Sequence, residues 1–128
     1  MTTPFYCVLV AWVLIYLPKV GTSVGMARQP GGYDNKHPRA QQAQLSGWPA
    51  RAHAAHLNSF ETFPAFAAAV IVAHLAGADP RRASLLSLTF VITRALYFVA
   101  YVANVDKLRS TLWGIGILAT FGLFVIGV

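Results

Sequence analysis

Residues 51–76 read RAHAAHLNSFETFPAFAAAVIVAHLA, with a polar first half and an apolar second half. The uncharged run extends only from Thr62 to Ala76, whereas a helix that crosses a bilayer core about 30 Å thick needs roughly 20 residues. If the stretch is one membrane-spanning helix, its polar half, with Asn58 and Glu61, must lie partly within the membrane. A carboxylate there is costly unless it has a partner or lines a wet cavity, so Glu61 marks a candidate site.

The composition of the chain is that of an integral membrane protein. Apolar residues make up 56% of its 128 positions and charged residues 11%, a balance too apolar for a soluble domain. The net charge is +6, but no basic run with interleaved aromatic residues indicates nucleic-acid binding. Cys7 is the only cysteine, which excludes an intrachain disulfide and a cysteine metal site. We expect a single domain over residues 1–128.

Four apolar segments predict four helices, so the expected fold class is all-α, an integral membrane four-helix bundle. The predicted helices cover residues of about 4–26, 50–76, 81–104 and 108–128. The first is expected to be a retained helix with a kink near Pro18, since no basic region precedes it and no small-residue cleavage site follows it. Residues 27–49 are expected to form a loop, because their prolines and paired glycines break any helix.

Small residues on the first two helices predict where helices approach each other. Ala65, Ala69 and Ala73 form a stripe suited to tight helix contact. Gly21 and Gly25 have the same small-xxx-small spacing, which permits close packing. Two glycines near the end of a helix more often mark its exit, and this is the interpretation that we favour for them.

The distribution of basic residues predicts the orientation in the membrane. Four spans put both termini on one side, and the loops that join the first to the second helix and the third to the fourth on the other. Those loops and their flanks carry Lys19, Arg28, Lys36, Arg39, Arg51, Lys107 and Arg109. The opposite side carries Arg81 and Arg82. By the positive-inside rule the termini lie outside, and the polar half of the second helix is its cytoplasmic half.

This topology gathers polar residues from three helices on the cytoplasmic side. The predicted cluster consists of Arg51, Asn58, Glu61, Arg94, Tyr97, Tyr101 and Arg109. Glu61 and Arg94 are expected to pair, because each alone would be a poorly solvated charge. Two interpretations stay open. The pair only holds two helices in register, or the surplus positive charge forms a pocket for an anionic ligand and lowers the pKa of a ligand thiol.

Two histidines of the second helix invite comparison with a metal site. His53 and His56 are three residues apart, but no third ligand stands at a fixed spacing from them. We therefore predict no metal site and expect both imidazoles to be polar surface at the headgroup level or at a subunit contact. Trp113 is expected to be a membrane anchor or a packing residue.

The segment Asn58-Ser-Phe-Glu61-Thr-Phe-Pro64 resembles a motif of the MAPEG family (membrane-associated proteins in eicosanoid and glutathione metabolism), most closely its leukotriene synthase branch. Arg94 with Tyr101 is similar to the third-helix signature of that family. Arg109-Ser110 resembles the position of the arginine credited with stabilising the glutathione thiolate. Residues 32–40 and 58–77 look like the corresponding segments of small bacterial members.

The resemblance implies a homotrimer of four-helix subunits in a bacterial inner membrane, with glutathione as cofactor between neighbouring subunits near the cytoplasmic face. The residues that would hold glutathione are Arg28, Arg51, Asn58, Glu61, Arg94, Tyr97 and Tyr101. Arg109 would stabilise the thiolate, which attacks an apolar electrophile or peroxide admitted from the bilayer. The implied partners are two further copies of the chain, glutathione, membrane lipid and a lipophilic substrate.

Two other classes of function stay open beside this enzyme. The family also includes members that bind lipids without catalysing a reaction, and Ala54 stands where glutathione-using members commonly carry an arginine. The remaining class is a structural or channel-like subunit, in which Glu61 and Arg94 only clasp two helices. Glutathione binding would separate the enzyme from the other two classes.

Overall fold

The computed structural model describes residues 1–126, and these residues contain helices and turns without a strand. The helices are α1 (Thr3–Ala27), α2 (Pro38–Ala43), α3 (Gly47–Leu75), α4 (Pro80–Val102) and α5 (Asp106–Ile126). All but α2 are long, with 25, 29, 23 and 21 residues in chain order. At about 1.5 Å per residue the shortest of the four spans roughly 32 Å, enough for a bilayer core. The all-α prediction is therefore confirmed.

Three of the long helices are long and apolar enough to cross a membrane: α1, α4 and α5. The fourth, α3, falls outside this group although it is the longest helix. Its first half carries the polar side chains that the sequence showed between Arg51 and Glu61. The long helix that carries Asn58 and Glu61 is thus the one whose sequence does not qualify as a membrane span by itself.

The observed helix boundaries differ from the predicted ones in the first connection. Residues 27–49 are not a continuous loop, because residues 38–43 form α2, and α3 begins at Gly47. The prediction of a helix-free segment was wrong. Pro38 occupies the first turn of α2, where a residue without an N–H interrupts no hydrogen bond. The last two residues of the predicted range 108–128 lie outside the residues that the structure describes.

Two tight turns make α3, α4 and α5 consecutive antiparallel neighbours. At the first turn the Asp79 carboxylate accepts a hydrogen bond from the Arg82 N–H at 2.8 Å and caps α4, and Pro80 follows it at the first helical position. At the second turn Asn104 adopts a φ of 62°, and the Val105 N–H donates to the Ala100 carbonyl at 2.9 Å. This left-handed residue ends α4 and turns the chain into α5.

The core lies between α1, α3, α4 and α5. At its centre the rings of Phe66 and Phe90 stack with centroids 3.8 Å apart. Ala11, Ala69 and Ala73 are buried beside them, so α1 and α3 pack closely along their length. Ala69 and Ala73 of the predicted small-residue stripe therefore pack inside the core of the subunit.

Gly21 and Gly25 do not mark the exit of α1, because the helix continues to Ala27. A Cβ atom at Gly21 would lie 2.9 Å from the Cβ of Ala52, and one at Gly25 would overlap the ring of Pro49. Both glycines thus permit the close approach of α1 to the start of α3. The interpretation that we favoured from the sequence was wrong for this pair.

The side chain of Gln41 anchors the connection between α1 and α3. Its amide accepts from the Asp34 N–H at 2.8 Å and donates to the carbonyls of Gly32 at 2.8 Å and Met26 at 3.3 Å. The Asp34 carboxylate in turn accepts from the backbone N–H groups of His37 and Lys36, which lowers the pKa of Asp34. One buried amide therefore joins the end of α1 to the loop and to α2.

We expect the Gln41→Ala variant to loosen this connection. The substitution leaves one backbone donor and two backbone acceptors without their partner, at a cost of about 1–3 kcal/mol for each group that stays buried. Trypsin should then cleave faster after Lys36 and Arg39, as followed by mass spectrometry of limited digests. The neighbouring Gln44 is exposed, so Gln44→Ala serves as the control. Equal cleavage rates in the two variants would contradict this role of Gln41.

Candidate functional site

Two arginines and two tyrosines form a continuous stack across α4 and α5. The Arg94 guanidinium lies 4.1 Å from the centroid of the Tyr97 ring, and that of Arg109 lies 4.5 Å from the centroid of Tyr101. The two rings meet edge to face, with centroids 5.6 Å apart. Arg94 and Tyr97 are buried at 6% and 5% exposure. The ring faces hold both cations in place without neutralising their charge.

The first half of α3 supplies hydrogen-bonding groups next to this stack. An Arg94 Nη2–H donates to the Ser59 hydroxyl at 3.2 Å, and that hydroxyl donates to the Ala55 carbonyl at 2.9 Å. Asn58 Nδ2 donates to the Glu61 carboxylate at 3.0 Å. The Asn58 Oδ1 atom is buried and has no hydrogen-bond partner among the described residues. Asn58 thus orients Glu61, and its amide oxygen is a buried acceptor without a partner in the described part of the chain.

The predicted ion pair between Glu61 and Arg94 is not formed within the described chain. The two side chains do not come within 4.0 Å of each other, and each has another partner, Asn58 for Glu61 and Ser59 for Arg94. Glu61 is exposed on the single subunit, whereas Arg94 is buried. The pairing failed as a prediction, because the hydrogen-bond partner of Arg94 is Ser59, a residue of the same motif two positions before Glu61.

A small cavity lies beside Arg109. Its volume is about 220 Å³, and it is lined by Tyr97, Tyr101, Arg109, Ser110 and Trp113. The lining carries a positive charge and no acidic side chain. From the sequence we did not place Trp113 at this cavity and expected it to be a membrane anchor or a packing residue. Its position one helical turn after Arg109 was the available signal, because residues four apart share a helix face.

The other two arginines of the predicted set stand apart from this cavity. Arg51 Nε donates to the Val102 carbonyl at 3.1 Å, which caps the C-terminal end of α4. This contact uses one of the five N–H groups of the guanidinium. Arg28 is exposed at the C-cap of α1 and does not line the cavity. Arg94 does not line the cavity either, but the stack joins it to Arg109 through Tyr97 and Tyr101.

His56 lies in the interior of the subunit, so the prediction of polar surface at the headgroup level or at a subunit contact was wrong for it. It is 7% exposed, and its Nδ1–H donates to the Ile15 carbonyl of α1 at 2.6 Å. Pro18 has no N–H, so α1 lacks one helical hydrogen bond in this turn. Among residues 1–126 no group of three or more His, Cys, Asp or Glu side chains is arranged to hold a metal ion.

The fold and the site define a helical membrane protein with a cationic, tyrosine-lined cluster on α3, α4 and α5. The MAPEG family model matches residues 3–128, nearly the whole chain, and the protein belongs to the MAPEG family. This membership and the three apolar helices identify an integral membrane protein. The family includes glutathione transferases and peroxidases, and its members generally use glutathione and typically form trimers. Searches of curated proteins and of solved structures each found no match.

Proposed function

We propose that this protein is a membrane-embedded, glutathione-dependent transferase or peroxidase that acts on apolar electrophiles. The observation that supports it best is the stack of Arg94, Tyr97, Tyr101 and Arg109 with a cavity at its Arg109 end. The guanidinium groups of Arg94 and Arg109 complement the negative charge of a tripeptide that carries two carboxylates and a thiol. A lipophilic electrophile would reach the same place from the bilayer.

The residues of the site fit the groups of glutathione. Guanidinium groups bind carboxylates through paired hydrogen bonds, and this is the role of Arg94. The Glu61 carboxylate and the free Asn58 Oδ1 accept from the ligand ammonium group. When bound, glutathione supplies a sulfur nucleophile. The positive charge of Arg109 stabilises its thiolate and lowers the pKa of the thiol.

The cavity of one chain is smaller than a complete site requires. Small-molecule pockets usually measure about 300–1,000 Å³, whereas the one beside Arg109 measures about 220 Å³. We therefore propose a homotrimer in which a neighbouring copy closes the site, and Arg28 at the end of α1 is the cation that it contributes. Exposed Glu61 then faces this contact.

The placement in the membrane is part of the proposal. Because α3 packs against α1, α4 and α5, it crosses the membrane with them, despite its polar first half. From the positive-inside rule we propose that the termini lie outside and that the site faces the cytoplasm. The bacterial inner membrane is what the family resemblance implies.

A non-catalytic binding protein of the same fold is the second candidate. Ala54 favours it, since a residue with no charge stands where glutathione-using members commonly carry an arginine. In this case the cluster holds a lipid or a partner and no conjugate forms. Conjugation of 1-chloro-2,4-dinitrobenzene by the purified protein separates the two candidates. A rate equal to the uncatalysed reaction, at saturating glutathione, would favour the binding protein.

Calorimetric titration with glutathione tests the binding site, and Glu61→Gln is the informative variant. Since Glu61 contacts Asn58 and not Arg94, we expect the free energy of unfolding to change by less than about 0.5 kcal/mol, as for an exposed residue. Glutathione affinity should fall about tenfold or more, because a charge-assisted hydrogen bond is lost. The reverse result, a lower melting temperature with unchanged glutathione affinity, would show that Glu61 stabilises helix packing and does not bind glutathione. Arg81→Ala, an exposed residue at the other end of the bundle, is the control.

A further inference from the structure

A second cavity lies at the end of the bundle opposite to Arg109. All four long helices contribute to its wall, α3 and α5 near their C-terminal ends and α1 and α4 at their first turns. The lining includes Phe5, Val70, Ala73, His74, Ala78, Ser84 and Leu123. Ala73 lies about four helical turns beyond Asn58, roughly 22 Å along α3. The second cavity is therefore separate from the proposed glutathione site.

The walls of this cavity are largely hydrocarbon. Val70, Ala73 and Leu123 are fully buried members of the core that reach its floor. Among residues 1–126, no Asp, Glu, Lys or Arg side chain lines it. Its few polar groups are partly engaged, since the Ser84 hydroxyl donates to the Pro80 carbonyl at 2.7 Å. A wall of this kind offers water few hydrogen bonds and favours an apolar guest.

The size and shape of the cavity fit a small molecule. Its volume is about 360 Å³, within the usual range of roughly 300–1,000 Å³ for small-molecule pockets. Every wall comes from one chain, so no second copy is needed to form it. The His74 imidazole lines the cavity and forms a T-shaped pair with the Phe5 ring, with centroids 5.1 Å apart. This pair presents aromatic surface and one hydrogen-bonding group.

We propose that this cavity is a second ligand site, which binds an uncharged, mainly hydrocarbon molecule with an aromatic ring. The ring packs between Phe5 and the aliphatic floor, and His74 offers a hydrogen bond to a hydroxyl or carbonyl group of the ligand. A carboxylate or phosphate ligand is disfavoured, because the described residues of the wall include no lysine or arginine. The site does not depend on the proposed function, since it shares no residue with the cluster around Arg109.

Photolabelling with 3-trifluoromethyl-3-phenyldiazirine, an uncharged aromatic probe, tests this site. On illumination the probe loses nitrogen, and the carbene inserts into a nearby bond, which peptide mass spectrometry locates. We expect saturable labelling of residues 70–84 and of the first turn of α1 in the purified protein, and competition by excess 2-naphthol. The 4-carboxylate analogue of the probe should not label these residues. Labelling that does not saturate and is spread over all lipid-facing residues would overturn the proposal.

Matched variants relate the labelling to the cavity itself. Ala78→Phe places a ring in the cavity and should abolish saturable labelling, and Ser84→Phe provides a second variant that fills it from α4. Ala76 is exposed, is two residues away and does not line the cavity, so Ala76→Phe should label like the parent protein. Thermal unfolding identifies the variants that retain the fold. Undiminished labelling in a folded Ala78→Phe or Ser84→Phe protein would place the probe elsewhere.

Discussion

The Arg109→Ala variant is expected to bind glutathione without forming its thiolate at neutral pH. A free thiol has a pKa of about 8.5, and a neighbouring cation lowers it by about 1–3 units. Arg109 is the cation of the cavity, held over Tyr101 at 4.5 Å. Its removal leaves the thiol mostly protonated, so we expect turnover to fall by about 10²–10³. Ultraviolet difference absorbance on adding glutathione measures the thiolate directly.

Two comparisons make this result specific. Arg109→Lys keeps the charge but not the flat stacking on Tyr101 and should retain part of the thiolate signal. Calorimetry with glutathione shows whether Arg109→Ala still binds the tripeptide, which the proposal requires because Arg94 and Glu61 remain. An unchanged thiolate signal in bound Arg109→Ala would remove Arg109 from its role. If Arg109→Ala no longer binds glutathione, Arg109 is needed for binding, and its proposed role in stabilising the thiolate loses its support.

The Gly25→Val variant is expected to lose much of the stability of the fold. A Cβ at this position would overlap Pro49 and lie 3.0 Å from Leu45. The proline ring is stiff and stands at the start of α3, so relief requires α1 and α3 to move apart. Overpacking of a core costs about 1–3 kcal/mol, and separating the two helices adds lost contacts. Thermal unfolding in detergent should show a melting temperature several degrees lower, at roughly 2–8 °C per kcal/mol.

Gly114 provides the control for this experiment. It lies inside α5, and a Cβ there would meet no atom within 4 Å. Gly114→Ala removes backbone freedom from the unfolded chain and should leave stability unchanged or raise it by about 0.5–1 kcal/mol. Gly25→Ala should lie between Gly25→Val and the parent protein. A Gly25→Val protein as stable as the parent would show that the close approach of α1 and α3 is dispensable.

Much of the candidate site could be predicted from residue spacing. Arg94, Tyr97 and Tyr101 follow each other at three and four residues, so any helix places them on one face. Arg109 stands at the start of the next helix, and the short turn at Asn104 returns it to the same end of the bundle. The stack of these four side chains follows from helix periodicity and a short connection.

The partners of the charged groups could not be predicted in this way. Opposite charge predicted that Glu61 pairs with Arg94. In the structure Arg94 donates a hydrogen bond to Ser59, and Asn58 donates one to Glu61. Arg51 shares a helix face with Asn58 and Glu61, yet its Nε donates to the end of α4. Each outcome depends on the rotation of α3 against α4, which charge and spacing leave open.

The amino-acid sequence by itself determined the long apolar helices, their order and the polar faces that they carry, because composition and periodicity act within one element. Only the tertiary structure decided how closely α1 approaches α3 at Gly25 and which side chain accepts the hydrogen bond of Arg94. The apolar cavity at one end of the bundle likewise exists only once the four long helices have packed. These features depend on the shapes of side chains far apart in the chain. Such side chains meet only after the helices have packed against one another.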